Sequence, residues 1–394
     1  MVGKSIPRVD AYEKVTGRAK FTDDLAPANC LVAKILHAKI GNGIVTSIDT
    51  SEAEAVEGVV KVVTFKDVPD HCYPTPGHPW SVELAHQDVA DRNLLTGRVR
   101  YYGDDIAAVV AEDEVTASRA LRKIKVEYEE YPVVIDPKKS MYGSRPPVHF
   151  DKKDNVLVRS NYFIGDVDAG LTQSDLIVKR HYKTPMVQHC HIENPVSYAY
   201  MDKDRIVVVA STQIPHIMRR VIGQALGIPW GRVRVIKPYI GGGFGNKQDV
   251  LYEPLNAFLT MQVGGRLVKL EVSREETFCN TRTRHSVEYD LTAGVDKEGH
   301  LLAKDMKAYS NQGAYASHGH AIAANGLTSW RLQYACPNIR GEAYTVYTNT
   351  PVGGAMRGYG IPQVCFGIES FMDDIAHELQ MDPLEFRRKN LIHG

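Results

Sequence analysis

Short segments with a strand-like or a helix-like hydrophobic pattern alternate along the first third of the chain. Residues 106–111 form a continuous apolar run, which is typical of a buried strand. Residues 114–123 have a helical pattern, and residues 124–129 alternate between polar and apolar positions, as a half-exposed strand does. This pattern predicts a small α+β domain over residues 1–135.

Residues 136–158 show little periodicity and contain three prolines, which predicts a linker before a second domain over residues 159–394. That domain begins with longer elements. A β-branched strand is expected at 205–210, followed by a helix whose apolar positions recur at helical spacing between 214 and 225. Ser211 or Thr212 is expected to cap this helix, Pro215 suits its first turn, and Gly227 suits its end.

A second strand at 233–236 leads into a glycine-rich loop and then a helix that ends near Gly264. Further along, two pairs of residues have the spacing of a capping box, in which the first side chain caps a helix and the second reaches back. These pairs are Ser273 with Glu276, and Asp382 with Glu385. Gln213 is expected at the junction between the strand at 205–210 and its helix, where backbone donors face ligands.

The composition of the chain mainly excludes classes of partner and of cofactor. The 394 residues include 47 Lys+Arg and 47 Asp+Glu, and the resulting zero net charge argues against nucleic acid or an anionic membrane as a partner. No apolar run approaches the roughly 18 residues of a membrane span, and the start of the chain lacks an apolar leader, so a cytoplasmic location is expected. The six cysteines form no CxxC pair, which excludes a Cys-ligated iron–sulfur cluster within this chain.

The strongest local signal is a run of three glycines at 241–243, continued by Phe244 to Lys247. It does not match the nucleotide-binding pattern GxxxxGK[ST], because Gln248 follows the lysine. It does not match GxGxxG either, because Asn246 stands at the last glycine. The run is therefore either an anion or cofactor loop of another kind or a tight turn without a ligand. A second cluster at 353–360 presents Arg357, which can bind an anion or form a surface ion pair.

Two His-x-His pairs suggest a rival function, a metal-dependent hydrolase, because residues two apart on a strand face the same way. The favoured interpretation is that these histidines make backbone hydrogen bonds. The pairs are His189 with His191, near Glu193, and His318 with His320. No GxSxG nucleophile motif occurs, which argues against an α/β-hydrolase.

Taken in order, five segments resemble one family over the whole chain: residues 8–24, 211–213, 241–247, 355–360 and 388–390. The sequence resembles the molybdenum-binding subunit of the molybdenum hydroxylases, the xanthine dehydrogenase and aldehyde oxidase family. Within it, the resemblance is to bacterial xanthine dehydrogenases with a separate molybdenum chain, and next to nicotinate dehydrogenase. It implies an α+β protein, with an α/β-hammerhead domain at 1–135 and the first molybdopterin-binding domain at 159–394. The second molybdopterin-binding domain, with the glutamate that acts as base, is expected outside this chain.

The resemblance also implies roles for individual residues. Catalytic roles fall on Gln213 and Arg357, and contacts around the molybdenum fall on these two and Phe244. The expected cofactor-binding set is Gln213, Gly243, Phe244, Gly245 and Arg357. Substrate contacts are expected from Gln248, Tyr359 and Asn325. Gln248 stands where purine-oxidising members carry a glutamate, and Asn325 stands where animal xanthine enzymes carry an arginine, so the implied pocket has lost charge.

The implied reaction hydroxylates an electron-poor carbon of an N-heterocycle of the xanthine or hypoxanthine type, with water as the oxygen source. Alternatives are a pyridine hydroxylase like nicotinate dehydrogenase, an aldehyde oxidoreductase, or an inactive remnant that serves as an interaction module. The implied cofactor is molybdenum on molybdopterin, in its cytosine dinucleotide form. The expected partners are the second molybdenum domain, an iron–sulfur subunit with [2Fe–2S] clusters and a FAD subunit.

Overall fold

The computed structural model describes residues 2–83, 87–143 and 146–392. The domain limits predicted at residues 1 and 394, and residues 144–145 of the predicted linker, lie outside the described residues. The strands are β1 (Leu31–His37), β2 (Gly43–Asp49), β3 (Val59–Thr64), β4 (Arg98–Val99), β5 (Asp105–Ala111), β6 (Lys125–Glu130), β7 (Val156–Ile164), β8 (Leu176–Thr184), β9 (Val187–Gln188), β10 (Val196–Asp202), β11 (Arg205–Ala210), β12 (Val233–Ile236), β13 (Val268–Glu271), β14 (Thr283–Arg284), β15 (Val287–Val295), β16 (Leu301–Gly313) and β17 (Asn338–Tyr347). The α-helices are α1 (Ala11–Val15), α2 (Thr22–Leu25), α3 (Ser51–Glu54), α4 (Glu114–Leu121), α5 (Pro137–Gly143), α6 (Val167–Thr172), α7 (Pro215–Leu226), α8 (Glu253–Gln262), α9 (Arg274–Asn280), α10 (Gly319–Leu332), α11 (Ile361–Glu378) and α12 (Pro383–Asn390).

The largest sheet contains strands from both sides of the predicted domain division. Its order is β12-β11-β10-β13-β1-β5-β3, and β1 runs parallel to β13 with Leu31 opposite Val268. Helices α7 and α8 pack their apolar side chains on this sheet in one continuous core. The division into domains at 135 and 159 stays a prediction, and the two parts share a sheet across it.

A second, five-stranded sheet has the order β7-β17-β16-β15-β8. Helices α10, α11 and α12 contribute to its core, in which Trp330, Phe371 and Phe386 are almost fully buried. The remaining strands form a three-stranded sheet, β4-β2-β6, and a two-stranded one, β14-β9. Among the described residues, no helix is both long enough and apolar enough to cross a membrane.

The local elements around the loops mostly follow the sequence pattern. Helix α7 begins at Pro215, and Gly227 ends it with a left-handed φ of 66°. The predicted cap was wrong, because the residue before the helix is Ile214, whose side chain cannot cap. Thr212 Oγ1 accepts the N–H of Ile214 at 3.0 Å, and Ser211 is engaged elsewhere, as described below.

The capping box at Ser273 and Glu276 is confirmed, since each side chain accepts the other residue's N–H, at 3.1 and 2.5 Å. Asp382 caps α12 by accepting the N–H groups of Leu384 and Glu385. No return hydrogen bond from Glu385 is present among the residues that the structure describes. The predicted linker is partly regular, because it contains α5 and the first residues of β7.

Candidate active site

Three loops meet at the edge where the parallel strands β11 and β12 end. Adjacent parallel strands place the loops after their carboxyl ends side by side, which is a common ligand position in α/β sheets. Gln213 lies in the loop after β11, and the glycine run lies in the loop after β12. The loops are joined by hydrogen bonds: the N–H of Gln213 donates to Lys247 O at 2.9 Å, and the N–H of Gly245 donates to Gln213 Oε1 at 3.0 Å.

The glycines let these backbones approach more closely than other residues allow. A Cβ on Gly243 would lie 2.4 Å from Gln213 Oε1. Gly245 has a φ of +111°, and a Cβ there would lie 2.4 Å from the carbonyl oxygen of Ala355, in the third loop. The glycine run therefore contacts both of the other loops.

The third loop is the one that carries Arg357. The N–H of Arg357 donates to the carbonyl of Phe244 at 2.9 Å. Arg284 Nη2 donates to the carbonyl of Arg357 at 2.8 Å. Phe244 adopts a left-handed φ of 52°, which is unusual for a large side chain and leaves it 48% exposed. The structure thus brings the five residues of the predicted cofactor set together, with the side chains of Gln213, Phe244 and Arg357 exposed at one edge.

Unused hydrogen-bond donors concentrate at this edge. The N–H groups of Gly242, Gly243 and Phe244 make no hydrogen bond to any residue that the structure describes. Because a backbone N–H fixes Oε1 of Gln213 as an acceptor, the Nε2 end of that amide remains free to donate. Successive backbone donors and a free amide suit the oxo and phosphate oxygens of a molybdenum–pterin group, so the residues present fit that cofactor.

A buried ion pair between Lys247 and Glu193 holds the glycine loop in place. Lys247 Nζ lies 2.8 Å from Glu193 Oε2 and 2.7 Å from Ser211 Oγ, and the same Glu193 oxygen accepts the N–H of Gly241 at 2.7 Å. Burial lowers the pKa of Lys247, against the attraction of Glu193, which favours the charged form. Sequence reasoning noticed Glu193 only as a neighbour of two histidines and missed that it fixes this loop.

The pair His189 and His191 is not a metal site. His189 Nε2 bonds to the carbonyl of Ala355 at 2.7 Å, and His191 Nδ1 bonds to the carbonyl of Glu193 at 2.6 Å. Asn246 Nδ2 lies 2.9 Å from His191 Nε2 and donates to it. Burial lowers the pKa of His191 to about 4, so the ring is neutral at pH 7. Backbone hydrogen bonding, the interpretation favoured from the sequence, is confirmed for this pair.

The predicted substrate residues gather around Tyr359. Asn325 Nδ2 donates to the backbone carbonyl of Tyr359 at 2.7 Å, so its amide is used for positioning that residue. His318 lies between Tyr359 and Gln248, with Nδ1 at 2.8 Å from the Tyr359 hydroxyl and Nε2 3.3 Å away from the Gln248 carbonyl oxygen. His78 approaches the same hydroxyl at 3.1 Å through Nε2. Sequence reasoning missed His78, which is far away in the chain and matches no motif.

The donors around Tyr359 can be assigned from one backbone group. The N–H of Gly77 donates to His318 Nε2 at 3.2 Å, so the proton of His318 is on Nδ1 and is donated to the tyrosine oxygen. The Tyr359 hydroxyl then donates to His78 Nε2, and His78 Nδ1 donates to Asp88 at 2.6 Å. Burial raises the pKa of Tyr359, which keeps its hydroxyl protonated.

The fold and the donor-lined edge define a molybdopterin-binding protein, and comparison with known proteins agrees. Residues 148–391 match the family model of the molybdopterin cofactor-binding domain. Residues 16–132 match the model of the aldehyde oxidase and xanthine dehydrogenase a/b hammerhead domain. The chain belongs to the xanthine dehydrogenase and aldehyde oxidase family of molybdenum hydroxylases. The family and the α+β fold class expected from the sequence are confirmed.

The chain covers different shares of the individual relatives that it matches. It is 47% identical to the xanthine dehydrogenase molybdenum-binding subunit of Escherichia coli O157:H7, over 97% of this chain and 51% of that one. It is 33% identical to the nicotinate dehydrogenase large molybdopterin subunit of Eubacterium barkeri, over 99% of this chain and 89% of that one. The aldehyde oxidoreductase structure from Desulfovibrio gigas matches 99% of the chain with a TM-score of 0.90 and 31% identity, and 43% of that structure is covered. The chain thus spans about half the length of the Escherichia coli relative.

Proposed function

We propose that the chain is the part of a molybdenum hydroxylase that holds one side of the molybdopterin cofactor and of the substrate. The observation that carries this proposal is the junction of three loops at which Gln213, Gly243 and Gly245 are interlocked beside Arg357. When bound, the cofactor supplies the oxygen transfer and accepts the two electrons of the oxidation.

The chain's own residues bind and orient. Gln213 would donate its free amide hydrogens to the cofactor, together with the N–H groups of Gly243 and Phe244 in the glycine loop. Arg357 would add a positive charge at the same edge, which suits a group with negative oxygens. We propose the roles predicted from the sequence: Gln213 and Arg357 are catalytic, and these two residues and Phe244 lie next to the molybdenum.

The proposed substrate is a planar N-heterocycle of the purine type. Tyr359 offers a ring face for stacking, and its hydroxyl is held by two histidines, so that its orientation is fixed. Gln248 can both donate and accept, which suits a ring N–H or a ring nitrogen. Asn325 acts on the substrate by holding the Tyr359 backbone.

A pyridine carboxylate is the second candidate substrate. It is favoured by the 33% identity to the nicotinate dehydrogenase large molybdopterin subunit over 99% of this chain. An aldehyde is the third, because the solved structure with a TM-score of 0.90 is an aldehyde oxidoreductase. Both alternatives use the same loops for the cofactor.

The proposal includes partners and a location. The cofactor is proposed to be the cytosine dinucleotide form of molybdopterin. A second molybdenum domain, whether on another chain or further along a longer one, supplies the base, and an iron–sulfur subunit and a FAD subunit carry the electrons away. The complex is proposed to work in the cytoplasm.

The test is metal analysis of the native complex together with a substrate panel. We expect one molybdenum per copy of this chain, and turnover of hypoxanthine or xanthine well above that of nicotinate and of a simple aldehyde. Preference for nicotinate would move the assignment to the second candidate. A complex free of molybdenum would support the remaining alternative, an inactive interaction module.

A further inference from the structure

A cluster of two histidines and one aspartate lies beside Tyr359 and is drawn from separate segments of the chain. His78 Nδ1 lies 2.6 Å from Asp88 Oδ1, and His320 Nε2 lies 3.7 Å from the same oxygen. The rings of His78 and His320 meet edge to face with centroids 5.1 Å apart. All three potential ligand atoms lie within 4.8 Å of one another.

We propose that His78, Asp88 and His320 form a binding site for a divalent transition-metal cation of the zinc type. Two imidazole nitrogens and one carboxylate oxygen are a ligand set that such cations prefer. In a tetrahedral zinc site, bond lengths of about 2.0–2.1 Å place ligand atoms about 3.3 Å apart. The observed separations of 2.6 and 3.7 Å lie on either side of that value, so small side-chain rotations close the site.

Burial and charge around the cluster suit a bound cation with an open position. The Asp88 side chain is 3% exposed, whereas those of His78 and His320 are 28% and 31% exposed, so one side faces solvent. Asp88 Oδ2, the oxygen that the metal does not use, is buried and accepts no hydrogen bond from the described residues, with Arg220 Nη2 at 3.7 Å.

His318 is not one of the ligands, although the His-x-His pattern pairs it with His320. Its Nε2 accepts the Gly77 N–H and its Nδ1 donates to Tyr359, so both nitrogens are committed. The structure therefore brings His320 together with His78, a residue from a different segment, and not with His318, its partner in the rival metal-site interpretation. Metal at His78 Nδ1 would displace the proton given to Asp88 and leave a proton on Nε2, which faces the Tyr359 hydroxyl.

The test measures metal bound by the untagged protein, purified with whatever partners accompany it. The protein is treated with a chelator, given Zn²⁺ and passed through gel filtration, and zinc and molybdenum are counted separately by mass spectrometry. We expect one equivalent of zinc in the wild type, and loss of that equivalent in Asp88→Asn and in His320→Gln. Zinc, not turnover, is the readout, so the result does not depend on the proposed hydroxylase activity.

Two control variants separate this site from other histidines. His181 and Asp290 form a similar pair at 2.7 Å without a second histidine in the cluster, so His181→Gln keeps the zinc. His318→Gln also keeps it, because His318 is not a ligand. A wild type that retains no zinc, or Asp88→Asn and His320→Gln variants that retain it, would overturn the proposal.

If those two variants do not fold, the wild-type protein still decides the question. X-ray absorption at the zinc edge then reports the ligands, and two imidazoles with one carboxylate support the site. Any other ligand set overturns it.

Discussion

At the scale of single residues, the proposed role of Gln213 can be tested most directly. Its Oε1 is fixed by the N–H of Gly245 at 3.0 Å, which leaves Nε2 as a preorganised donor at the loop junction. Gln213→Ala removes that donor, and we expect turnover to fall by roughly 10²-fold or more with molybdenum retained. Steady-state kinetics and metal analysis of the purified complex check this.

The matched control is Gln173→Ala, an exposed glutamine at the end of α6 and away from the loops. It should leave turnover unchanged. Full activity in Gln213→Ala would show that the amide is not used in the reaction.

His285 makes a second residue-scale prediction, about acid stability. Gln312 Nε2 donates to two carbonyls, so Gln312 Oε1 accepts from His285 Nε2 at 2.9 Å. His285 Nδ1 is buried and has no hydrogen-bond partner among the residues that the structure describes. Protonating Nδ1 would bury a charged group with no acceptor, and burial lowers the pKa of His285 to about 4. The ring is therefore neutral in the folded protein at pH 7.

Because the folded-state pKa is depressed, the unfolded chain binds more protons between pH 6.5 and pH 4. Stability is therefore lost as the pH falls through that window, by on the order of 3 kcal/mol for this one histidine. Denaturant unfolding across the window should give a shallower pH dependence for His285→Gln than for the wild type. His216→Gln, an exposed control, should keep the wild-type slope. Equal slopes for His285→Gln and the wild type would contradict the argument.

At the scale of elements, the loop junction depends on glycine geometry. Gly245→Ala places a Cβ 2.4 Å from the Ala355 carbonyl, at a φ of +111° that alanine rarely adopts. We expect a loss of about 1–3 kcal/mol in the free energy of unfolding, together with lower molybdenum content, because the two loops must separate. Chemical denaturation and metal analysis measure the two effects.

Gly231→Ala is the matched control, because a Cβ there meets nothing within 4 Å and the backbone φ is not positive. It should change neither quantity by much. If Gly245→Ala bound molybdenum as the wild type does, the close approach of the loops would not matter for the cofactor.

The elements also show what a sequence can and cannot predict. Strand β11 and helix α7 follow from β-branched residues, helical spacing, Pro215 and Gly227, all of which act locally. The cap at Ser211 was mispredicted because its hydroxyl bonds to Lys247, which is 36 residues away. The pairing of β1 with β13 and the approach of His78 to Tyr359 depend on contacts between distant segments, which no local pattern contains.

The part of the site whose residues lie in short sequence motifs was predictable. The five residues predicted to bind the cofactor lie in recognisable loops, and the structure brings these loops together. The supporting pair Glu193 and Lys247 and the histidines around Tyr359 were not predictable in these roles, because burial and tautomer decide what those side chains do.

At the scale of the whole molecule, the edge that presents the proposed cofactor residues also carries exposed apolar side chains. Phe244 is 48% exposed and Ile192 is 91% exposed, and the segment containing Ile192 packs along the glycine run. An apolar surface beside donors for a charged cofactor is costly to leave in water, where hydrogen bonds to oxo groups also weaken. We therefore expect a second polypeptide, or a further domain, to cover this edge.

The final prediction is that this chain alone does not turn over substrate, and that its edge around Ile192 is part of an interface above the ~2,000 Å² typical of permanent complexes. Ile192→Asp puts a charge on that surface and should reduce co-purification of partner chains and the molybdenum content together. Val115→Asp, at another highly exposed apolar residue in the first turn of α4, should leave both unchanged. Gel filtration of the native complex with metal analysis measures both. Substrate oxidation by the isolated chain, or an Ile192→Asp complex that stays intact, would show that this edge needs no cover.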